Sequence, residues 1–209
     1  MENILETISA KLIKGKSIEK LTQEALDKGI SPKDILTKSL LEGMTRAGEM
    51  FKEKTLTMYD VLESAKNMEK SVKILKPLLK DEDIVKKGKI LTASVQGDFH
   101  DIGKNLCILM LESNGFQVID MGVDVPQEKI EECIKKESPN ILMLSAMIAP
   151  TMEVMKMTIE YLREKGVTKD LKIMVGGAPL TEETAKSMGA AYSADAVSAV
   201  EVAEKLLNI

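Results

Sequence analysis

From residue 89 to residue 209, short apolar runs alternate with stretches of helical periodicity. The apolar runs predict five strands, at 89–95, 116–120, 140–145, 171–175 and 190–193. The stretches that follow them predict helices at 103–114, 126–137, 151–165, 181–188 and 195–207. Such alternation gives a parallel sheet with helices on both faces. We therefore expect an α/β flavodoxin-like (Rossmann-like) five-stranded parallel sheet with strand order 2-1-3-4-5.

Residues 1–80 show apolar side chains at helical spacing throughout. Four such stripes joined by short turns predict an all-α four-helix bundle. The residues expected to cap the second, third and fourth helices are Ser17, Ser31 and Thr57. The charged segment 81–88 has little apolar pattern. We place a linker and hinge there, between a helical cap domain at 1–80 and an α/β domain at 89–209.

The charge and hydropathy of the chain exclude several classes of partner. A formal net charge of −4 offers no basic surface for nucleic acid or an anionic membrane. No stretch is long and apolar enough to span a bilayer, and the acidic N-terminus lacks a signal-peptide pattern. Cys107 and Cys133 lack Cys-x-x-Cys spacing, which argues against structural zinc. We expect no nucleic-acid partner, no membrane partner and a cytoplasmic location.

The loop that follows the first predicted strand holds the only histidine in the chain, His100. In α/β proteins, loops at this edge of the sheet bind ligands. Asp98 precedes His100 by two residues and can accept a hydrogen bond from one ring nitrogen, which leaves the other free for a metal. The third strand ends in Ser145, and the fourth ends at Gly176-Gly177. These residues should therefore lie at the same edge of the sheet as the loop with His100.

The pattern Asp98-x-His100-x-x-Gly103 after a strand resembles the signature of the cobalamin-binding domain of methionine synthase. Ser145-Ala146-Met147 resembles the Ser-x-Leu motif of that family, and Gly176-Gly177 resembles its Gly-Gly element. The resemblance implies that cobalamin or a related corrinoid binds with its own benzimidazole displaced. It also implies that His100 is the axial cobalt ligand, while the cofactor alternates between methylcob(III)alamin and cob(I)alamin.

The resemblance also implies roles for the residues around His100. Asp98 and Thr151 would support the imidazole, and Ser145 would hydrogen-bond the displaced benzimidazole. The other positions expected to bind the cofactor in this domain are Asp101, Ile102, Gly103, Met147, Gly176 and Gly177.

The helical half resembles the same family, because 43–51 is similar to the helical cap that precedes the cobalamin domain. In that family, two apolar cap residues shield the upper corrin face, and Phe51 and Met58 stand at the matching positions. A cap and a cobalamin domain together resemble small corrinoid proteins of anaerobic methyltransferase systems.

These proteins carry a methyl group from methanol, methylamines, betaines or aryl methyl ethers to a folate or thiol acceptor. The resemblance implies three partners: a donor-specific methyltransferase, an acceptor methyltransferase and a reductive activase. It also implies that the chain has no complete active site of its own.

Alternative functions are a cobalamin-dependent sensor or regulator and the cobalamin subunit of a mutase. A regulator would require an output module and, for DNA, a basic face, and the sequence shows neither. The mutase subunit lacks the helical cap. A cofactor-free receiver domain requires an acid at the end of the third strand, where this chain has Ser145.

Overall fold

The computed structural model describes residues 4–79 and 87–209. The described residues fall into two compact units, a helical one that holds 4–79 and 113–115 and an α/β one that holds 87–112 and 116–209. The predicted linker at 81–88 lies outside the described residues except for its last two positions. Among the described helices, none is both long and apolar enough to cross a membrane.

The helical unit has the four helices that the sequence predicts, although the third is interrupted. The helices are α1 (Ile4–Ile13), α2 (Glu19–Asp27), α3 (Pro32–Ile35) continuing into α4 (Glu42–Lys52), and α5 (Met58–Leu75). A π-helical segment, Leu36–Leu41, joins α3 to α4, and a 3₁₀ turn, Lys76–Leu78, follows α5. The side chains buried between these helices include Ile8, Leu12, Leu40, Met44 and Met68.

Two of the three predicted caps form. Ser31 accepts a hydrogen bond from the backbone N–H of Asp34, and Thr57 forms a reciprocal capping box with Asp60. The prediction for Ser17 is wrong, because Ile18 occupies the N-cap and the Ser17 hydroxyl donates to the Glu19 carboxylate instead. Ile18 is buried, so apolar packing sets the start of this helix in place of a polar cap.

The α/β unit contains a five-stranded parallel sheet with order β2-β1-β3-β4-β5, which confirms the predicted topology. The strands are β1 (Lys89–Ser94), β2 (Gln117–Asp120), β3 (Ile141–Ser145), β4 (Lys172–Gly176) and β5 (Ala191–Tyr192). The intervening helices are α6 (Ile102–Ser113), α7 (Gln127–Glu137), α8 (Ala149–Glu164), α9 (Glu182–Ser187) and α10 (Ala196–Leu207). Most observed bounds lie within two residues of the predicted ones, since the periodicity was strong.

Helices cover both faces of the sheet. One face packs against α7, α8 and α9 through a cluster that includes Leu91, Leu144, Ile130 and Ile159. Of the described residues in that cluster, none belongs to α6 or α10. Those two helices lie on the opposite face, where α10 contacts β4 and Lys104 of α6 bonds to Asp120 of β2.

The strand register places three small residues side by side at the carboxyl edge of the sheet. Ser94 of β1 pairs with Ser145 of β3, which pairs with Gly176 of β4. Since side chains alternate between faces, the Ser94 and Ser145 side chains point toward the α6 and α10 face. The loop with His100 leaves the sheet at this edge, as expected for a ligand site in such folds.

Candidate functional site

The Asp98 carboxylate is the centre of a hydrogen-bond network that joins two loops. Its Oδ1 atom lies 3.0 Å from the backbone N of His100 and 2.9 Å from Nδ1 of the same residue. Its Oδ2 atom accepts from the backbone N of Met147 and from Oγ1 of Thr151, both at 2.6 Å. The network thus connects the β1–α6 loop with the start of α8.

These donors hold Asp98 in its ionised form. Burial alone would raise the pKa of the Asp98 carboxyl, but the bonds from Thr151, Met147 and His100 lower it below its usual value. An ionised carboxylate only accepts hydrogen bonds, so Nδ1 of His100 must carry the ring proton. Nε2 of the neutral ring then keeps its lone pair, the state in which an imidazole binds a metal.

The loop that carries His100 is held by three further bonds. The Ser94 hydroxyl donates to the carbonyl oxygen of His100 at 2.8 Å. The Asp124 carboxylate accepts from the backbone N of Gly97 at 2.7 Å, and the Asp124 N–H donates to the carbonyl of Asp98 at 2.9 Å. Gly97 has φ +81°, which glycine adopts without strain. The imidazole is therefore presented by a fixed loop, with its side chain 58% exposed.

Exposed apolar side chains accompany the imidazole on both loops. Phe99 and Ile102 flank His100 in the chain, and Met147 and Ile148 begin the β3–α8 loop. The backbone N–H of Met147 bonds to Asp98, so the two segments that carry these side chains are joined beside His100. An apolar surface around one outward imidazole fits a large flat macrocycle whose metal needs an axial ligand.

Gly103, in the first turn of α6, has no role in the packing of the described residues. A Cβ atom at this position would meet no atom within 4 Å, and the backbone has no positive φ that would require glycine. Glycine inside a helix costs about 1 kcal/mol relative to alanine. Close approach of a ligand at this turn would account for the cost, because glycine leaves the backbone accessible.

Glycine stands at positions 176 and 177, at the end of β4, for two different structural reasons. A Cβ atom on Gly177, whose φ is +133°, would overlap the carbonyl oxygen of Ala146. A Cβ atom on Gly176 would lie 3.0 Å from the carbonyl oxygen of Ser193. The close approach of Ala146 in the β3–α8 loop thus requires glycine at position 177. The Ser193 carbonyl, just before α10, leaves little room for a side chain at position 176.

The remaining expected site residues lie at the same edge. Ser145 ends β3 and is half-buried. Asp101 is exposed, and its carbonyl accepts from the N–H of Asn105 in the first turn of α6. A described residue that sequence reasoning did not single out is Lys104, whose buried ammonium lies 2.5 Å from Oδ1 of Asp120.

Phe51 and Met58 belong to the helical unit. Phe51 lies near the end of α4, and Met58 is the first residue of α5, so both flank one short turn. Both are half-buried, and the neighbouring Tyr59 is largely exposed. They are thus partly accessible at one corner of the bundle.

Sequence reasoning missed the backbone N–H of Met147, the Ser94 hydroxyl and the Asp124 carboxylate. Main-chain donors leave no trace in the sequence, and the Asp124 contact depends on a loop with φ +53° at Asp124 itself. Ser94 is a polar residue at the end of an apolar strand, and the sequence analysis assigned it no role. A polar residue at this position is a usable signal, because it is buried and hydrogen-bonded to the site loop.

The described residues contain no group of three or more His, Cys, Asp or Glu side chains that could hold a metal ion. A metal at His100 would therefore have to bring most of its ligands with it, as the cobalt of a corrin does. The buried Asp98, the outward imidazole, the apolar surface and the row of small residues fit such a cofactor. Together the fold and the site define a cobalamin-binding protein of the α/β type.

Comparison with known proteins agrees with that class. Models described as "B12 binding domain" match residues 88–205 and, separately, residues 5–76. Monomethylamine corrinoid protein 1 of Methanosarcina mazei is 39% identical over 195 residues, covering 91% of this chain and 88% of the relative. Dimethylamine corrinoid protein 1 of Methanosarcina acetivorans is 35% identical, covering 99% and 98%.

A solved structure gives the same result. A chain from the methanol:cobalamin methyltransferase complex MtaBC of Methanosarcina barkeri superposes with a TM-score of 0.84 and 25% identity, covering 99% of this chain and 80% of that one. The chain belongs to the B12-binding family, among the corrinoid proteins of methyltransferase systems. Its cofactor is cobalamin or a related corrinoid.

Proposed function

We propose that this chain is a methyl carrier that serves two methyltransferases, one that loads the methyl group and one that removes it. The observation that supports the proposal is the Asp98–His100 pair, in which a buried carboxylate fixes an exposed imidazole. The folate or thiol acceptor and the reductive activase belong to this proposal. A corrinoid supplies a cobalt centre that can accept a methyl group and release it again.

The residues around the cofactor have separate roles in this proposal. His100 would hold the metal through Nε2, while Asp98 keeps the proton on Nδ1. Thr151 and the N–H of Met147 hold Asp98 in place, so that the carboxylate cannot turn away from the ring.

In this proposal, the row Ser94, Ser145 and Gly176 would hold the displaced base of the corrinoid. The Ser94 hydroxyl donates to the carbonyl of His100, and Ser145, the next residue of the row, is half-buried. Ser145 is thus the available partner for the base. Gly176 and Gly177 keep the adjacent backbone free of side chains. The residues that would contact the macrocycle are Asp101, Ile102, Gly103 and Met147.

We propose a methylated amine as the methyl source, delivered by a donor-specific methyltransferase. The support is the similarity to relatives named for methylamine and dimethylamine, at 39% and 35% identity. These values are too close to choose between the amines. Since residues up to 79 form a helical unit, we favour a carrier over a mutase subunit, which lacks one.

Spectroscopy of His100→Ala tests the axial ligand. The variant should still bind cobalamin, because the row of small residues is unchanged, but its cobalt(II) electron paramagnetic resonance should lose the splitting from an axial nitrogen. Added imidazole should restore the splitting, since it replaces the missing side chain. A nitrogen splitting that persists in His100→Ala without imidazole would show that His100 is not the ligand.

Transfer of label tests the carrier role. The loaded protein is mixed with candidate amine methyltransferases, an acceptor methyltransferase and ¹⁴C-methylated amines, and label in the folate or thiol product is counted. We expect transfer that depends on this chain and on one of the amines. Equal label in the product when the chain is omitted would rule out the carrier role.

A further inference from the structure

The Thr92 hydroxyl is completely buried in the sheet and has no hydrogen-bond partner among the described residues. Thr92 lies in the middle of β1, where it pairs with Asp120 of β2 and Met143 of β3. A buried hydroxyl that lacks a partner is destabilising, because its bonds to water are lost on folding. A valine has nearly the same shape and avoids that penalty, so the hydroxyl needs an explanation outside the described fold.

Thr92 faces the side of the sheet that carries the row of small residues. Side chains alternate along a strand, so Thr92 shares its face with Ser94, two residues further on. On this face, the row at the carboxyl edge is the small one, with Ser94, Ser145 and Gly176. The rows behind it hold larger side chains, first Thr92, Met143 and Met174 and then Ile90 and Ile141.

A group that enters along Ser145 and Gly176 from the carboxyl edge would meet Thr92, Met143 and Met174 at its inner end. Two residues along a strand correspond to about 7 Å, which sets the depth of Thr92 below Ser94. Met143 and Met174 are buried thioethers, which are weak hydrogen-bond acceptors and cannot donate. Among these three residues, Thr92 is therefore the strong polar contact.

We infer that Thr92 is a specificity-determining residue for the lower base of the bound corrinoid. Its hydroxyl hydrogen-bonds a polar substituent on the edge of the base that is remote from the nitrogen held by Ser145. The inference rests on the proposed function, in which the displaced base lies beside Ser145. The preferred ligand is thus a corrinoid whose lower base carries a hydroxyl or amino group at that edge, in place of the two methyl groups of cobalamin.

Binding of three corrinoids to two variants tests the inference. The ligands are cobalamin, a cobamide whose benzimidazole carries one hydroxyl instead of the methyl groups, and cobinamide, which has no base. The variants are Thr92→Val and, as a matched control, Thr158→Val, whose hydroxyl already donates to the carbonyl of Val154. Dissociation constants are measured by titration of the corrinoid absorption, and thermal unfolding without ligand is recorded in parallel.

We expect the wild type to bind the hydroxyl cobamide roughly tenfold more tightly than cobalamin, the effect of one good hydrogen bond. Thr92→Val should abolish that preference and raise the melting temperature of the ligand-free chain, while Thr158→Val should keep the preference. An equal ratio of the two constants in wild type and Thr92→Val would overturn the role of Thr92. Cobinamide binding as tightly as both cobamides would instead refute the placement of the base in the proposed function.

Discussion

Nδ1 of His100 lies 2.9 Å from Oδ1 of Asp98, and the two side chains differ sharply in exposure, 58% for His100 and 1% for Asp98. The ring therefore has one nitrogen fixed by the protein interior and presents the rest of its surface outward. Because the carboxylate is held by further bonds at its other oxygen, the orientation of the ring depends on groups that lie behind it.

Asp98→Asn should destabilise the ligand-free protein in a pH-dependent way. An amide has one accepting atom where the carboxylate has two, so a donor on one side loses its partner, at a cost of about 1–3 kcal/mol. The pKa of Asp98 is below its usual value in the folded chain. Its stabilisation is thus fully present above the unfolded-state pKa of about 3.9 and is lost as pH falls through the lower folded-state pKa.

The measurement is urea unfolding of wild type and Asp98→Asn from about pH 6 down to about pH 3. The difference in unfolding free energy should be constant above about pH 5 and shrink below it. Other carboxyl groups with lowered pKa, such as Asp34 and Glu131, act equally in both proteins and cancel in the difference. A difference that stays constant over the whole range would contradict an ionised, hydrogen-bonded Asp98.

Thr151→Val should raise the pKa of Asp98 toward its usual value. The substitution removes the 2.6 Å bond from the Thr151 hydroxyl to Oδ2, which favours the ionised carboxylate. Thr158→Val is the control on the same helix, because the Thr158 hydroxyl donates to the carbonyl of Val154 at 2.8 Å. Titration of the Asp98 carboxyl carbon by NMR should move in Thr151→Val and stay in place in Thr158→Val.

Gly177→Ala should be strongly destabilising, by about 3 kcal/mol or more, because strain and overlap act together. The backbone has φ +133°, and the added Cβ would overlap the Ala146 carbonyl oxygen. Gly166→Ala is the comparison, since Gly166 has φ +71° but no atom within 4 Å of the added Cβ. Its cost should be about 1–2 kcal/mol, from the left-handed backbone alone. Equal unfolding free energies for the two variants would show that the Ala146 backbone can move away from the added Cβ at little energetic cost.

The double substitution Phe51→Ala with Met58→Ala should leave cobalamin loading intact but speed the bleaching of bound methylcobalamin by light. We expect this because the resemblance to the helical cap of the cobalamin-domain family implies that these two apolar residues shield the cofactor. Leu78→Ala is the control, since Leu78 is an exposed apolar residue of the same unit in the turn after α5. If the double variant bleaches at the wild-type rate, Phe51 and Met58 only pack within the helical unit and do not shield the cofactor.

The sequence by itself determined the order of elements and the edge of the sheet at which the site lies. Apolar runs of the right length, such as 89–95 and 140–145, were separated by helical periodicity, so strands and helices could be placed closely. Because the strands are parallel, their carboxyl ends lie at one edge of the sheet, and the loops that follow them meet there. That is why the sequence assigns Asp98, His100 and Ser145 to one edge of the sheet.

Only the tertiary structure decided which atoms meet at that edge. The bond from the Met147 N–H to Asp98 comes from main chain, which has the same donor at nearly every residue and gives no sequence signal. The start of α2 at Ile18 and the π-helical segment at Leu36–Leu41 depend on packing that local patterns do not contain. The unpaired Thr92 hydroxyl is likewise visible only once every neighbour is placed, because hydrogen-bond satisfaction is a property of the whole fold.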